Sequence, residues 1–498
     1  MPPGKDSLAE EASAGTARSY GAGRTHERHR ASVVAAAVVL WLATVAGRRG
    51  AAVAGPLPVA VPFAVTACIA SVAWVTRARS GSRAWMFVLL AVAGACGGAR
   101  EWSAVPVPTG PCGGWVDVVT DPRGQGAHAS VVVHTDGHRV RASAHGPDAF
   151  VLASLRAGER AWVEGDCGPV EGGWRPRELV NHVTGRMAVH RAGGLVLEGG
   201  AFARAANRVR DLVARGTARM AATDRALFLG LVMGDDSAQS RTMIDDFRGS
   251  GLSHLCSASG QNVAFLMAAA GPLLRRLTPA WRLAATLLVV AMFVFLTRAE
   301  PSVLRAAAMA TVAAVNMHAG RPSNGRRVLA VAVCVLLVID PMLAFSVGFM
   351  LSVGATAGLA WLSALIARRL GVPAVVASTL AAQAGTLPVA LAVFGRVPLI
   401  SVVANPLAVP VAGLVMLVGL PVAIGTAFLP DLLHVPVCAL LTVPVRFVAW
   451  VASTGADVEP HGTAALVGWC VLCVAGAVRW FRCRRVAGWG HGGVGHHG

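Results

Sequence analysis

Long apolar runs alternate with short clusters of arginine along the chain, and the rhythm breaks between residues 99 and 199. Stretches without Asp, Glu, Lys or Arg cover 31–47, 50–76, 84–99, 249–274, 283–297, 306–320, 341–367, 370–395, 397–430 and 460–478. Several reach the ~20 residues that a helix needs to cross a hydrocarbon core. The shorter runs can still span where flanking residues such as Arg282 and Arg298 snorkel toward the interface. Residues 397–430 are long enough for two passes but carry five prolines, at 398, 406, 410, 421 and 430. The pattern predicts about three spans before residue 99 and seven to nine after 249. The fold class is a polytopic α-helical membrane protein of about 10–12 transmembrane helices.

Residues 99–199 obey a period of two instead. Val131–Thr135 and His138–Ala142 flank Asp136-Gly137, a two-residue hairpin signal. Trp115–Val119, Arg160–Glu164 and Glu178–Val183 are further strand candidates. Short strands with tight turns predict a small β-barrel or sandwich, a soluble domain inserted between membrane segments. Its Trp115, Trp162 and Trp174 could stack bases, but the favoured reading places them in the core.

Composition agrees with a membrane protein: 55% of residues are hydrophobic and only 14% charged, too few to dress a water-soluble particle of 498 residues. The arginines set the orientation. The tail over 1–30, read as disordered, carries Lys5, Arg18, Arg24, Arg28 and Arg30, and the loop after the second span carries Arg77, Arg79 and Arg83. Positive-inside logic puts both in the cytoplasm, against the weaker pull of Arg48 and Arg49. The inserted domain then lies outside, and Arg479, Arg482, Arg484 and Arg485 place the C-terminus inside. No secretory signal peptide is expected, because the first apolar run lies far from the start. In an oxidising compartment Cys112 and Cys167 of the inserted domain would pair and staple its ends; two buried free thiols are the alternative. Cys470 and Cys473 form a C-x-x-C inside an apolar helix, which reads as packing. Neither a metal site nor a cofactor motif is present in the sequence. Lys5 is the sole lysine, so the chain lacks a P-loop and hydrolyses no ATP by that route.

The chemistry concentrates after the inserted domain. Residues 202–220 have helical apolar spacing with Arg204, Arg208, Arg215 and Arg219 opposite, which suits either an interfacial helix or a connecting helix packed on the bundle. Two segments follow, LFLGLVMGDDS (227–237) and GLSHLCSASGQNVAFL (251–266). Unpaired polar groups cost several kcal/mol in hydrocarbon. On a continuous helix His254, Ser257 and Gln261 share a face, with Ser259 and Asn262 nearby, and such a face must look into the bundle or a wet cavity. Hydrogen-bond glue between helices is the bland alternative.

These two segments resemble the signature of the ComEC-type competence proteins, inner-membrane channels that import single-stranded DNA. Further matches follow in order: PSVLRAAAM (301–309), Asp340-Pro341 before GFMLSVGAT (348–356), and AAQAGTLPVALAVFGRVPLISVVANPLAVP (381–410). The resemblance covers roughly residues 200–480. It implies that the 99–199 domain is OB-like and extracytoplasmic, that 31–98 are N-terminal spans, 200–250 interfacial helices, 251–481 the channel and 482–498 a cytoplasmic tail. It also implies a membrane-anchored DNA receptor and a cytoplasmic helicase-like ATPase as partners. Many members carry histidine where this chain has Asn262, so no acid, base or ligand role transfers to it. Many also continue into a metallo-β-lactamase-like zinc domain. This chain ends in GWGHGGVGHHG; if that is the full chain, nuclease activity is expected to come from elsewhere or to be absent.

A route for a polyanion needs donors and cations. The candidate lining residues are His254, Ser257, Ser259, Gln261, Asn262, Arg305, Gln383 and Asn405. Arg305 must find an anion or carbonyls, and Glu300 is its nearest acidic candidate in sequence. With 10 basic and 11 acidic residues, the inserted domain lacks the footprint of a strong nucleic-acid binder. Two competing readings are a secondary transporter of a small anionic solute, using a broken-helix site near Asn405, and a membrane hydrolase using His254 and Ser259. The hydrolase lacks a carboxylate to orient the histidine.

Overall fold

The computed structural model describes residues 34–46, 94–96, 109–124, 127–170, 175–256, 259–321, 324–460 and parts of 462–478. They belong to two compact units, residues 1–103 with 321–344 and residues 104–320 with 345–498. In the first unit helices over Val34–Ala46 and Gly325–Ile339 pack through Ala36, Val39 and Cys334. Labels below refer to the second unit.

Five strands close into a barrel: β1 (Gly110–Val118), β2 (His128–Thr135), β3 (His138–His145), β4 (Arg160–Pro169) and β5 (Gly185–Leu197). Their order is β1-β2-β3-β5-β4, with β3 parallel to β5 and the other pairs antiparallel. Helix α1 (Pro147–Ser154) links β3 to β4, which completes an OB-like fold. Asp136 and Gly137 both have positive φ, 48° and 78°, as the hairpin signal requires. Val116, Val131, Val133, Val140, Val163 and Met187 fill the interior. A disulfide joins Cys112 to Cys167 with 5.7 Å between Cα atoms, tying β1 to β4. Replacing both cysteines by alanine is expected to cost the barrel about 2–4 kcal/mol. Faster hydrogen exchange in β1 and β4 would register the loss.

Two expectations for this domain are corrected. Glu178–Val183 is not a strand; it is the end of helix α2 (Arg175–Val180) and a turn in which His182 takes φ 58°. Glu178 is held there by Arg141 of β3 through two hydrogen bonds of 3.0 and 2.7 Å, and this ion pair overrides a weak local strand preference. Trp115 and Trp162 lie on the outer wall, 37% and 38% exposed, with their rings edge-on at 5.9 Å. Each adjoins an inward valine, Val116 or Val163, and a period of two then forces the indole outward. Trp174 lies outside the described residues.

After the barrel come α3 (Ala201–Gly216), α4 (Ala222–Met233), α5 (Arg241–Gly249), α6 (Ser253–Cys256), α7 (Gly260–Leu274), α8 (Pro279–Leu296), α9 (Pro301–His318), α10 (Val347–Leu370), α11 (Ala374–Phe394), α12 (Ser401–Thr426) and α13 (Asp431–Val458). Helix α3 packs on the bundle through Ala206, Val213 and Gly216 while Arg204, Arg208 and Arg215 stay exposed. Among the described residues five helices, α8 and α10–α13, are long and apolar enough to cross a membrane; α7 and Val34–Ala46 are apolar but shorter. The expected spans within 50–76 and 84–99 fall almost wholly outside the described residues. The proline-rich run 397–430 forms one helix rather than two, with Pro406 and Pro410 inside it and a π-helical segment at Val415–Gly419. The protein is a multi-pass α-helical membrane protein with a small OB-like barrel.

Helices α10 and α11 approach until their backbones touch. A side chain on Gly354, Gly358 or Gly385 would run into the carbonyl of Gly385, Ala381 or Gly354 respectively. Small residues spaced by four make this contact, the mode of packing that hydrocarbon surroundings favour.

The barrel is fastened to the helices by a charge network. Arg298, in the turn between α8 and α9, donates to both oxygens of Asp121 at 2.8 Å and to Asn207 of α3 at 2.8 Å. Arg210 of α3 bridges Asp121 at 3.3 Å and Asp235 at 2.5 Å. Arg298 therefore does reach beyond its helix end, but to a carboxylate rather than to the solvent. Burial alone would raise the Asp121 carboxyl; hydrogen bonding and charge from Arg298, with Arg210 behind it, hold it below its ordinary value. The folded value is depressed, so the contribution to stability is present above the ordinary carboxylate pKa of about 4 and is lost as pH falls below it. Asp121→Asn is expected to cost about 2 kcal/mol at neutral pH and to flatten this acid dependence. Urea unfolding of the full chain at pH 7 and at pH 3 measures both effects.

Candidate functional site

Residues 225–266 fold as a set of short pieces around a buried helix. Leu227, Phe228, Leu231 and Val232 bury α4 on nearly all sides. Asp235, just after it, accepts from the backbone N–H and hydroxyl of Ser237 and is gripped by Arg210. Ser240 caps α5 by accepting from Met243 N–H at 3.2 Å. The chain then turns through Gly251 into the single turn α6.

The polar run is not one continuous helix. It leaves helical geometry at Ser259, the N-cap of α7, with φ −116° and ψ 161°. His254 stands before this break, Gln261 and Asn262 stand after it, and Ser257 lies outside the described residues. The spacing that would have aligned His254 with Gln261 on one face therefore does not apply. Consecutive glycine and serine residues at the break explain why a helix cannot run through it.

Asn262 is buried; it donates to the Leu231 carbonyl at 3.3 Å and accepts from Ser259 Oγ at 3.1 Å, tying α7 to α4. Ser259 thus gives its proton to Asn262. The His254 side chain is exposed in α6. Gln261 is half-buried in the first turn of α7.

Arg305 is 6% exposed on α9. Its Nε donates to Ser352 Oγ of α10 at 2.7 Å and its Nη1 lies 3.0 Å from Met309 Sδ. The guanidinium rests against Gly260, where any side chain would overlap it. Among the described residues no carboxylate pairs with Arg305. Glu300 does not: its charged neighbours are Arg123 and Asp236, and burial, partly offset by Arg123, holds its carboxyl above the ordinary value. A buried cation beside the amino end of α7 creates a local field that favours an anion.

Gln383 and Asn405 form a second group. Gln383 of α11 donates to Ser401 Oγ at 2.6 Å, and Asn405 lies one turn beyond Ser401 on α12. Three contributors were not foreseen. Gln239 is buried with its amide against Gly230. Glu459 accepts from the N–H groups of Leu399 and Ile400, both at 2.8 Å, and so fixes the start of α12. Its position at the edge of a charge-free run made it look like a flanking charge. The Arg210–Asp235 pair is the third, invisible without the fold because its members are 25 residues apart.

A family model described as competence protein matches residues 231–483, just over half of the 498 residues. The chain belongs to the competence protein family. ComE operon protein 3 of Bacillus subtilis (strain 168) is 34% identical over 189 residues, 36% of this chain and 24% of that relative. The chain thus spans about a quarter of the relative's length. No solved structure matches. In this competence protein the matched region opens at Leu231, whose carbonyl receives Asn262, and contains both polar groups; the barrel lies outside it.

Proposed function

We propose that this competence protein conducts single-stranded DNA across the cell membrane into the cytoplasm, with its barrel outside and both termini inside. The observation that carries the reading is Arg305, a buried guanidinium held by a hydroxyl and a thioether beside a helix amino end, without a carboxylate among the described residues. A fixed cation left uncompensated at membrane depth is costly unless an anion visits it, and a nucleic-acid strand brings one phosphate per nucleotide. His254, Ser259, Gln261, Gln383 and Asn405 supply neutral donors and acceptors along the route, and Asn262 braces it against α4. Ser257 belongs to the same lining on the sequence pattern.

Inward movement of an anion against an inside-negative potential costs ~2.3 kcal/mol per charge per 100 mV. A chain without a P-loop does not meet this from ATP, so a cytoplasmic helicase-like ATPase pulls and a membrane-anchored DNA receptor delivers the strand. The family's place in DNA uptake fits a transport role rather than catalysis.

Deleting the gene and following labelled DNA into the nuclease-protected cytoplasmic fraction tests the proposal. Uptake is expected to vanish and to return with the wild-type chain. Unchanged uptake would reject conduction of DNA, and loss of a small anion's uptake in its place would support a solute transporter.

A further inference from the structure

A buried polar group at membrane depth needs a partner, because an unpaired one costs several kcal/mol there. Two side-chain oxygens, one on α11 and one on α12, depart from this. Gln383 Oε1 and Asn405 Oδ1 are both buried, and neither has a hydrogen-bond partner among the described residues. The orientation of the Gln383 amide is dictated by its neighbour. Ser401 Oγ gives its one proton to the Pro398 carbonyl at 2.5 Å, so toward Gln383 it can only accept, and it does so from Nε2 at 2.6 Å. The carbonyl end of the amide is left over. Asn405 follows Ser401 by four residues and projects from the same helix face.

Prolines add to the surplus of oxygen. Pro388 inside α11 removes the N–H that the Ala384 carbonyl would accept, and Pro406 inside α12 does the same for Val402. Ala384 is the next residue after Gln383, and Val402 the next after Ser401.

Donor-free oxygens are what a dehydrated cation requires, and their chemistry selects the cation. Amide, hydroxyl and peptide oxygens are neutral, whereas calcium and magnesium are held with the help of carboxylates. Neutral oxygens of this kind do not take up a proton near neutral pH either, which removes hydronium chemistry. Carbonyls freed in interrupted helices are a recurrent environment for alkali ions in membranes. We propose that Gln383 and Asn405, with Ser401 orienting the first, form a binding site for a monovalent alkali cation between α11 and α12.

The site is also joined to the turn before His254 by one close contact. Gly251, at φ 75°, lies on Ser401: a side-chain carbon there would stand 2.7 Å from Ser401 Cβ and 3.5 Å from the Pro398 ring. The turn that leads to His254 therefore rests on the residue that orients Gln383. An ion bound at the two amides holds Ser401, and with it the support of that turn.

Equilibrium binding of radiolabelled sodium to the purified full chain in lipid nanodiscs tests the site without DNA, so the outcome is separate from the conduction proposal. Saturable binding that choline fails to displace is expected, and displacement by potassium also supports the site. Asn405→Ala and Gln383→Ala should each weaken sodium binding about tenfold or more, and Ser401→Ala, which releases the orientation of Gln383, should weaken it as well. Asn405→Asp keeps the shape and adds a negative charge; tighter binding by this variant is expected even if the alanine variants fold poorly. Absence of saturable sodium and potassium binding by the folded wild-type chain overturns the proposal. So does binding that folded Asn405→Ala and Gln383→Ala leave unchanged, or an Asn405→Asp variant that binds no more tightly than the wild type.

Discussion

Uptake of labelled DNA is expected to fall about tenfold or more when Arg305 is replaced by methionine, while the yield of folded protein holds steady or rises. The two halves of this result have different origins. A charge-assisted hydrogen bond to a phosphate is worth about 1.5–3 kcal/mol, which sets the loss of transport. Stability moves the other way because removing a buried, unneutralised charge and filling its volume with an apolar chain is commonly neutral or favourable. Arg305 also has little to lose inside the fold, where its partners are Ser352 and Met309 rather than a carboxylate. Arg305→Lys keeps the charge but loses the planar fork, so intermediate uptake is expected. A folded Arg305→Met protein with wild-type uptake would remove Arg305 from the route.

Gly358→Val is expected to have the largest effect on folding. At this position the first side-chain carbon already meets the Ala381 carbonyl, and the obstacle is backbone, which cannot rotate aside. Valine adds two methyl groups to that collision. Separation of α10 from α11 should cost about 3 kcal/mol or more, seen as loss of monodisperse protein after detergent extraction. Gly348 on the same helix supplies the control: only Ser346 Oγ, at 4.0 Å, lies near a side chain added there. Gly348→Ala should behave as wild type.

Much of the architecture was legible because it follows from one-dimensional periodicity. The 131–142 hairpin is an example, its turn residues and alternating valines demanding the observed register. Apolar length likewise announced α8 and α10–α12, whereas Arg446 and Asp457 interrupt the run that forms α13 and hid it from a search for charge-free stretches. Where several weak local preferences met a specific tertiary contact, the contact won. Residues 178–183 look like a strand until Arg141, 37 positions away in sequence, takes hold of Glu178. The outward placement of Trp115 was implicit in its neighbour Val116, but bulk apolar character pointed the other way.

The polar cluster was legible as composition and not as geometry. Counting polar side chains between 254 and 262 locates the region, yet a helical projection misplaces them because Ser259 is extended and a new helix starts after it. Arg305 stood out as a cation in an apolar run, whereas its contact with Gly260 depends on how α7 and α9 pack. Gln383 and Asn405 were visible as polar residues near prolines. That Ser401 turns one amide oxygen away from every donor could only be read from the hydrogen bonds.

A module hung on a slack tether could be dragged about without troubling what lies beneath it. This barrel is bolted through Asp121 to the turn at the base of α9, seven residues before Arg305. Whatever hauls on the barrel therefore loads the same lever that carries the buried guanidinium.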